Sequence, residues 1–194
     1  MKDKIVFGIC GSFCNHQKII KVLKDLVQYY DIYPVVTHNV YNISTRFYKN
    51  TDFINDLQDI CKHKVMKELN EVELIGPENK YDLMVIAPMS ATVLSKLVNG
   101  NYDNPVTLAA KAMLRNNKNV VIGIACNDAL SISGVNLMRL IAMKNIYSIP
   151  FRQDDCIKKP TSLVSDFDLC KPTIELAMNN IQIQPLVLGS DKNE

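Results

Sequence analysis

Five runs of strand length set the strongest limit on what this chain can fold into. They are KIVFGIC (residues 4–10), IYPVVT (32–37), DLMVIAP (82–88), NVVIGIAC (119–126) and NIYSIPF (145–151). Most are rich in Val and Ile, with hardly a polar break. A strand covered by helices on both faces has no wet side, so it reads as a continuous apolar run rather than an alternation. Between the runs the period changes to that of a helix. Ile19, Val22, Leu23, Leu26, Val27 and Tyr30 recur at i, i+3, i+4, i+7, i+8 and i+11. Leu94, Leu97 and Val98 repeat the spacing; Ala109, Ala110, Met113 and Leu114 do so after Pro105, and Leu137, Leu140 and Ile141 after Gly134. Strand–helix alternation predicts an α/β fold: a Rossmann-like, doubly wound parallel sheet in a three-layer sandwich.

Two regions break the rhythm. Residues 41–76 are polar and predict a helix near 52–61, then a short strand near 64–66 or 72–75. Residues 152–168, RQDDCIKKPTSLVSDFD, read as an extended loop, followed by a helix starting at Pro172. With 194 residues, 47% of them hydrophobic, the chain has enough apolar material for one compact domain. We expect a single domain over 1–185 and a frayed tail over 186–194.

Charge and cysteine usage narrow the class. The formal net charge is +2, from 22 basic and 20 acidic residues, with no long basic block. That excludes the electrostatic footprint of a nucleic-acid binder. No apolar run is long enough to span a membrane, and the N-terminus lacks a signal-peptide core, so the expected location is cytoplasmic. The six cysteines (Cys10, Cys14, Cys61, Cys126, Cys156, Cys170) are scattered through a long apolar chain, which reads as reduced structural thiols. No metal cluster and no nucleophile–base pair stands out.

In a doubly wound sheet, ligands sit beyond the carboxyl ends of the strands where strand order reverses. In the commonest order that point lies between the first and fourth strands. With a short strand within 64–75, the fourth strand ends in APMSAT (87–92), and the first ends in CGSFCN (10–15). These two turns are the richest in small and hydroxylated residues, and each opens a helix whose free N–H groups favour an anion. Gly11 lets backbone approach a ligand, the Ser12 hydroxyl is placed to donate to it, and Ser90 and Thr92 either do the same or cap their helix. The sequence carries neither G-x-G-x-x-G nor G-x-x-x-x-G-K-[ST], and the second strand ends in Thr37-His38 with no acidic residue for a ribose. A mononucleotide phosphate fits better, with Thr37 as a third hydroxyl. Asn127, after NVVIGIAC, faces the same end or is an ordinary turn residue. Asp103-Asn104 before Pro105 reads as a helix boundary.

At Gly11-Ser12, at Pro88-Met89-Ser90-Ala91-Thr92 and at Asn99-Gly100-Asn101-Tyr102-Asp103-Asn104, the chain resembles the flavoprotein family of FMN-binding cysteine decarboxylases and flavin prenyltransferases. The resemblance implies a Rossmann-like sandwich that assembles into homo-oligomers. It also implies FMN held by Gly11, Ser12, Thr37, Pro88, Ser90, Ala91, Thr92 and Asn127. Two departures are visible: no Asn separates Ala91 from Thr92, and the segment NEVELIGPENKYD lacks the His that decarboxylation needs. The stretches GICGSFC, STRFYKNTDF, NDALS, KNIYSIPFRQDD and KKPTSLVSDFDL are similar to a branch of the family that works as one half of a two-subunit oxidoreductase. That resemblance implies a small dicarboxylate substrate, a dihydropyridine oxidised to a pyridine, and a partner subunit carrying NADP. Arg46 is then the expected carboxylate clamp, since arginine meets carboxylates bidentately; Arg152 and Lys158-Lys159 are weaker candidates. Three readings stay open: the oxidoreductase component with an FMN-type pocket, a cofactor-free partner that only completes or stabilises the other component, and a stand-alone decarboxylase or prenyltransferase.

Overall fold

The structure, a computed structural model, describes residues 2–189. Seven strands are present among them: β1 (Lys4–Ile9), β2 (Asp31–Val36), β3 (Leu83–Met89), β4 (Asn119–Cys126), β5 (Ile146–Ser148), β6 (Phe151–Asp155) and β7 (Lys159–Ser165). The helices are α1 (His16–Leu26), α2 (His38–Asn42), α3 (Asn50–Cys61), α4 (Leu69–Glu73), α5 (Ile75–Glu78), α6 (Ala91–Val98), α7 (Pro105–Arg115), α8 (Gly134–Ile141) and α9 (Cys170–Met178).

Five strands run parallel in the order β2-β1-β3-β4-β5, with Ile5 beside both Ile32 and Leu83, Leu83 beside Asn119, and Val120 beside Ile146. Side chains alternate between two cores. Val6, Met84, Ile86, Val120, Ile122 and Ile124 face a layer containing α6, α7 and α8. Ile5, Phe7, Ile9, Leu83, Val85 and Val121 face α1, α3 and α9. Both faces are therefore covered, which is why the strands carry no polar alternation. The α/β doubly wound, three-layer expectation holds.

Three expectations change. Residues 64–66 contribute only a single bridge, Val35 to Met66, and 72–75 are helical in α4 and α5. The strand after α5 is thus the third, and the order reverses between β1 and β3 rather than between a first and a fourth strand. Residues 152–168 are not a loop: β6 and β7 form an antiparallel hairpin joined to the end of β4 at Ala125–Val164 and Cys126–Leu163. Its turn is built by Asp155, whose Oδ1 accepts from the N–H groups of Ile157 (3.1 Å) and Lys158 (2.9 Å). The expected fraying from 186 starts too early, because Phe151 N–H donates to the Leu186 carbonyl (3.1 Å) and Leu188 N–H to the Phe151 carbonyl (2.8 Å). The end of the expected tail, 190–194, lies outside the described residues.

β4 forks. Its first half pairs with β5 and its last two residues pair with β7. At the fork Gly123 is tightly enclosed: a Cβ there would lie 3.0 Å from the Phe167 ring and 3.1 Å from Ala87 and Ile149, so these neighbours would have to give by a few tenths of an ångström.

Candidate ligand cleft

A cleft of about 800 Å3 opens at the carboxyl ends of β1, β3 and β4. That is within the range of small-molecule and cofactor sites, roughly 300–1,000 Å3. Its walls come from the turn after β1, the turn after β3, the turn after β4, the loop before α3 and the hairpin.

The floor is tied together across the three turns. Cys10 N–H donates to the Pro88 carbonyl (3.3 Å), which joins the ends of β1 and β3 at the reversal point. Ser12 Oγ donates to the Ala125 carbonyl (2.8 Å), which joins β1 to β4. The Cys10 thiol, buried and receiving the Ser90 backbone N–H, is pushed up to about 12, chiefly by burial. It is a packed group and not a nucleophile. His16 opens α1 beneath this turn. Its Nε2 lies 3.0 Å from the Cys10 carbonyl, and its ring stacks on Phe53 at 4.3 Å. A carbonyl only accepts, so that nitrogen carries the proton, and burial holds the imidazole below its ordinary pKa and neutral.

Two observations bear on whether the cleft suits a phosphate-bearing cofactor. First, Ser90 occupies the N-cap of α6 with extended backbone, yet its hydroxyl makes no capping bond. The first N–H groups of the helix therefore keep their donors for something else. Second, a Cβ on Gly11 would meet only the Phe13 ring, at 3.5 Å, so internal packing does not demand a glycine there. A ligand lying against the backbone would. These features fit a phosphate monoester.

Gly11, Ser12, Ser90, Ala91, Thr92, Asn127 and Arg46 all line the cleft. Thr37 and Pro88 do not. Thr37 ends the neighbouring strand, where its N–H donates to the Ile9 carbonyl (3.2 Å), and Pro88 is buried in β3. The Ser12 proton, expected to reach a ligand, is committed to Ala125. Of the weaker cationic candidates, Arg152 pairs with Asp166 (2.9 Å) outside the cleft, whereas Lys159 lines the cleft but pairs with Asp154 (2.6 Å).

Sequence reasoning missed Asp154 and Ser162 of the hairpin, and Phe47. It also missed a small network on the β4 side. Cys126 Sγ donates to Asp128 Oδ1 and Ser133 Oγ to Asp128 Oδ2, both at 2.9 Å. The bond from Cys126 holds the Asp128 carboxyl below its usual range. Burial, with Asp128 adding to it, pushes the Cys126 thiol up to about 11. The network shapes the wall and leaves no titrating thiol near neutrality.

The Flavoprotein family matches residues 1–175, and this chain belongs to that family. Within it, the chain is similar to the B subunit of dipicolinate synthase from Bacillus subtilis (strain 168): 42% identical over 186 residues, 95% of this chain and 93% of that one. The crystal structure of the dipicolinate synthase B subunit from Bacillus halodurans matches with a TM-score of 0.89 and 39% identity, over 97% of this chain and 99% of that chain. The FMN-dependent cysteine decarboxylase SpaF has a TM-score of 0.67 at 18% identity, over 92% of this chain and 96% of that chain, and shares the fold.

Proposed function

We propose that this chain is the B subunit of a dipicolinate synthase. Together with the A subunit of that enzyme, it oxidises dihydrodipicolinate to pyridine-2,6-dicarboxylate during sporulation, in the cytoplasm of the mother cell. The substrate loses one hydride and one proton. The observation that carries the reading is a cleft at the β1/β3 reversal, entered by the uncapped start of α6, in a chain 42% identical to such a B subunit over nearly its whole length.

FMN is the cofactor that these groups suit. Ser90, Ala91 and Thr92 would hold its phosphate at the start of α6, with Gly11 allowing close backbone approach. Asn127 would face the ring system. When bound, FMN supplies a two-electron acceptor beside the substrate. Arg46 would meet a substrate carboxylate, and NADP would enter through the A subunit. The active assembly would be a homo-oligomer of this chain joined to the A subunit.

One observation favours a second reading, in which the chain is a cofactor-free partner that completes or stabilises the A subunit. The Cys126–Asp128–Ser133 network is internally satisfied, so it offers the reaction no free acid or base. An absorbance spectrum of the purified chain, repeated after adding FMN and gel filtration, separates the two. A retained flavin band and dicarboxylate formation with the A subunit support the first reading. A colourless chain that refuses FMN, yet is still required by the A subunit, supports the second. No product with the A subunit under either condition overturns both.

A further inference from the structure

Arg46 and Phe47 lie side by side on the cleft wall, and the segment carrying them is pinned more firmly than a surface connection needs. Thr45 Oγ1 accepts from the N–H groups of Phe47 (3.2 Å) and Tyr48 (3.4 Å), and Thr45 N–H donates to the Tyr48 carbonyl (3.0 Å). Ser44 Oγ donates to Asn50 Oδ1 (2.6 Å), and Asn50 Nδ2 to the Tyr41 carbonyl (2.7 Å). The Tyr48 hydroxyl donates to Asp56 on α3. Both ends of the segment are fastened, and the turn between them is closed on itself. What it presents is the Arg46 guanidinium carbon 4.8 Å from the centroid of the Phe47 ring, a ring that stays 41% exposed.

A ring so exposed is not filling a core. It does something for the arginine instead. Among the described residues no carboxylate pairs with Arg46, in contrast to Arg152 and Lys159. A free arginine loses much rotamer freedom when it closes on an anion. A ring that already holds the guanidinium removes part of that loss beforehand, and it leaves the edge N–H donors free for a carboxylate.

The geometry points to Phe47 as a positioning residue: it presets Arg46 to grip a carboxylate of a small, planar dicarboxylate in the cleft. This rests on the substrate class proposed above. Phe47 acts only through Arg46, so its effect exists only while the arginine is present and the ligand is charged.

The test uses the full chain reconstituted with the A subunit. Calorimetry gives the Kd of pyridine-2,6-dicarboxylate and of the uncharged pyridine-2,6-dicarboxamide, and turnover gives KM and kcat for dihydrodipicolinate. Arg46→Ala is expected to weaken the dicarboxylate about tenfold or more. Phe47→Ala is expected to weaken it about two- to fivefold, in Kd and KM rather than kcat. The double variant is expected to be no weaker than Arg46→Ala alone. Phe47→Tyr restores the parent affinity, which also separates a lost ring from a damaged fold. The dicarboxamide is indifferent to Phe47. An active complex in which Phe47→Ala leaves Kd and KM unchanged, or adds fully to Arg46→Ala, overturns this inference and leaves the functional reading standing. A complex that makes no product with the parent chain overturns the functional reading, and this inference falls with it.

Discussion

Two helices that follow one another in the chain begin in opposite ways. At the start of α7, Asn104 turns its Oδ1 back to accept from the N–H groups of Val106 and Thr107, both at 3.1 Å, and Pro105 removes another donor. That N-terminus is closed. At the start of α6, Ser90 has the same extended backbone and a suitable hydroxyl, but makes no capping bond. That N-terminus is open, and it faces the cleft. Residue type alone marks both as caps. What separates structure from function is where the side chain spends its hydrogen bond. A third helix, α1, enters the same region in neither way: it continues a 3-10 turn over Phe13–Asn15, and its first N–H, from His16, donates to the Phe13 carbonyl.

Four experiments break or sharpen this contrast. The strongest is Ala91→Asp, which places a carboxylate in the first turn of α6. FMN affinity should fall by about a hundredfold or more, since like charges placed together cost several kcal/mol. Stability in urea should stay level or rise by about 0.3–1 kcal/mol, because the helix itself favours the charge. Undiminished FMN binding would remove α6 from the site. Next, Ser90→Ala should weaken FMN about tenfold while shifting stability by less than about 0.5 kcal/mol. The mirror case is Asn104→Ala, which should cost about 1 kcal/mol of stability and leave FMN titrations unmoved. If these two variants behave alike in both assays, the open and closed termini are not different in kind.

The smallest effect concerns acid. His16 is kept neutral by burial, with its folded pKa below the ordinary 6.5. The unfolded chain takes up a proton there first, so stability should decline as pH falls below about 6.5. Protonation would also set a positive charge at the positive end of α1. His16→Gln should flatten the pH dependence in that window when unfolding free energy is followed by denaturant titration. An unchanged slope would assign the acid limb to other groups.

How much of this was legible in the sequence follows from which forces leave a periodic trace. The parallel strands were readable because burial on both faces leaves uninterrupted Val and Ile. The long helices were readable because one face of each is apolar. The β1 and β3 turns were readable because switch-point chemistry uses small, hydroxylated residues. The hairpin was not. β6 is largely polar, β7 has Pro160 as its second residue, and only two residues of β7 pair with β4. Strands that project from a sheet edge have little buried area to show. A turn signal was present in Asp155 and the residues after it, but it competed with a run of charges. The strand expected within 64–75 reduces to one bridge, because Val72 and Ile75 belong to short helices packed against α7. Within the cleft, the failure of Ser90 to cap is an absence of contact, and no sequence pattern encodes an absence.

The fork in β4 has a consequence for inheritance. The hairpin is attached to the parallel sheet by two residue pairs, whereas Gly11 and the uncapped start of α6 stand just beyond the ends of β1 and β3. A lineage can lengthen or recharge the exposed turn of the hairpin without shifting the parallel strands. One wall of the cleft is thereby free to drift at a different speed from the sheet behind it.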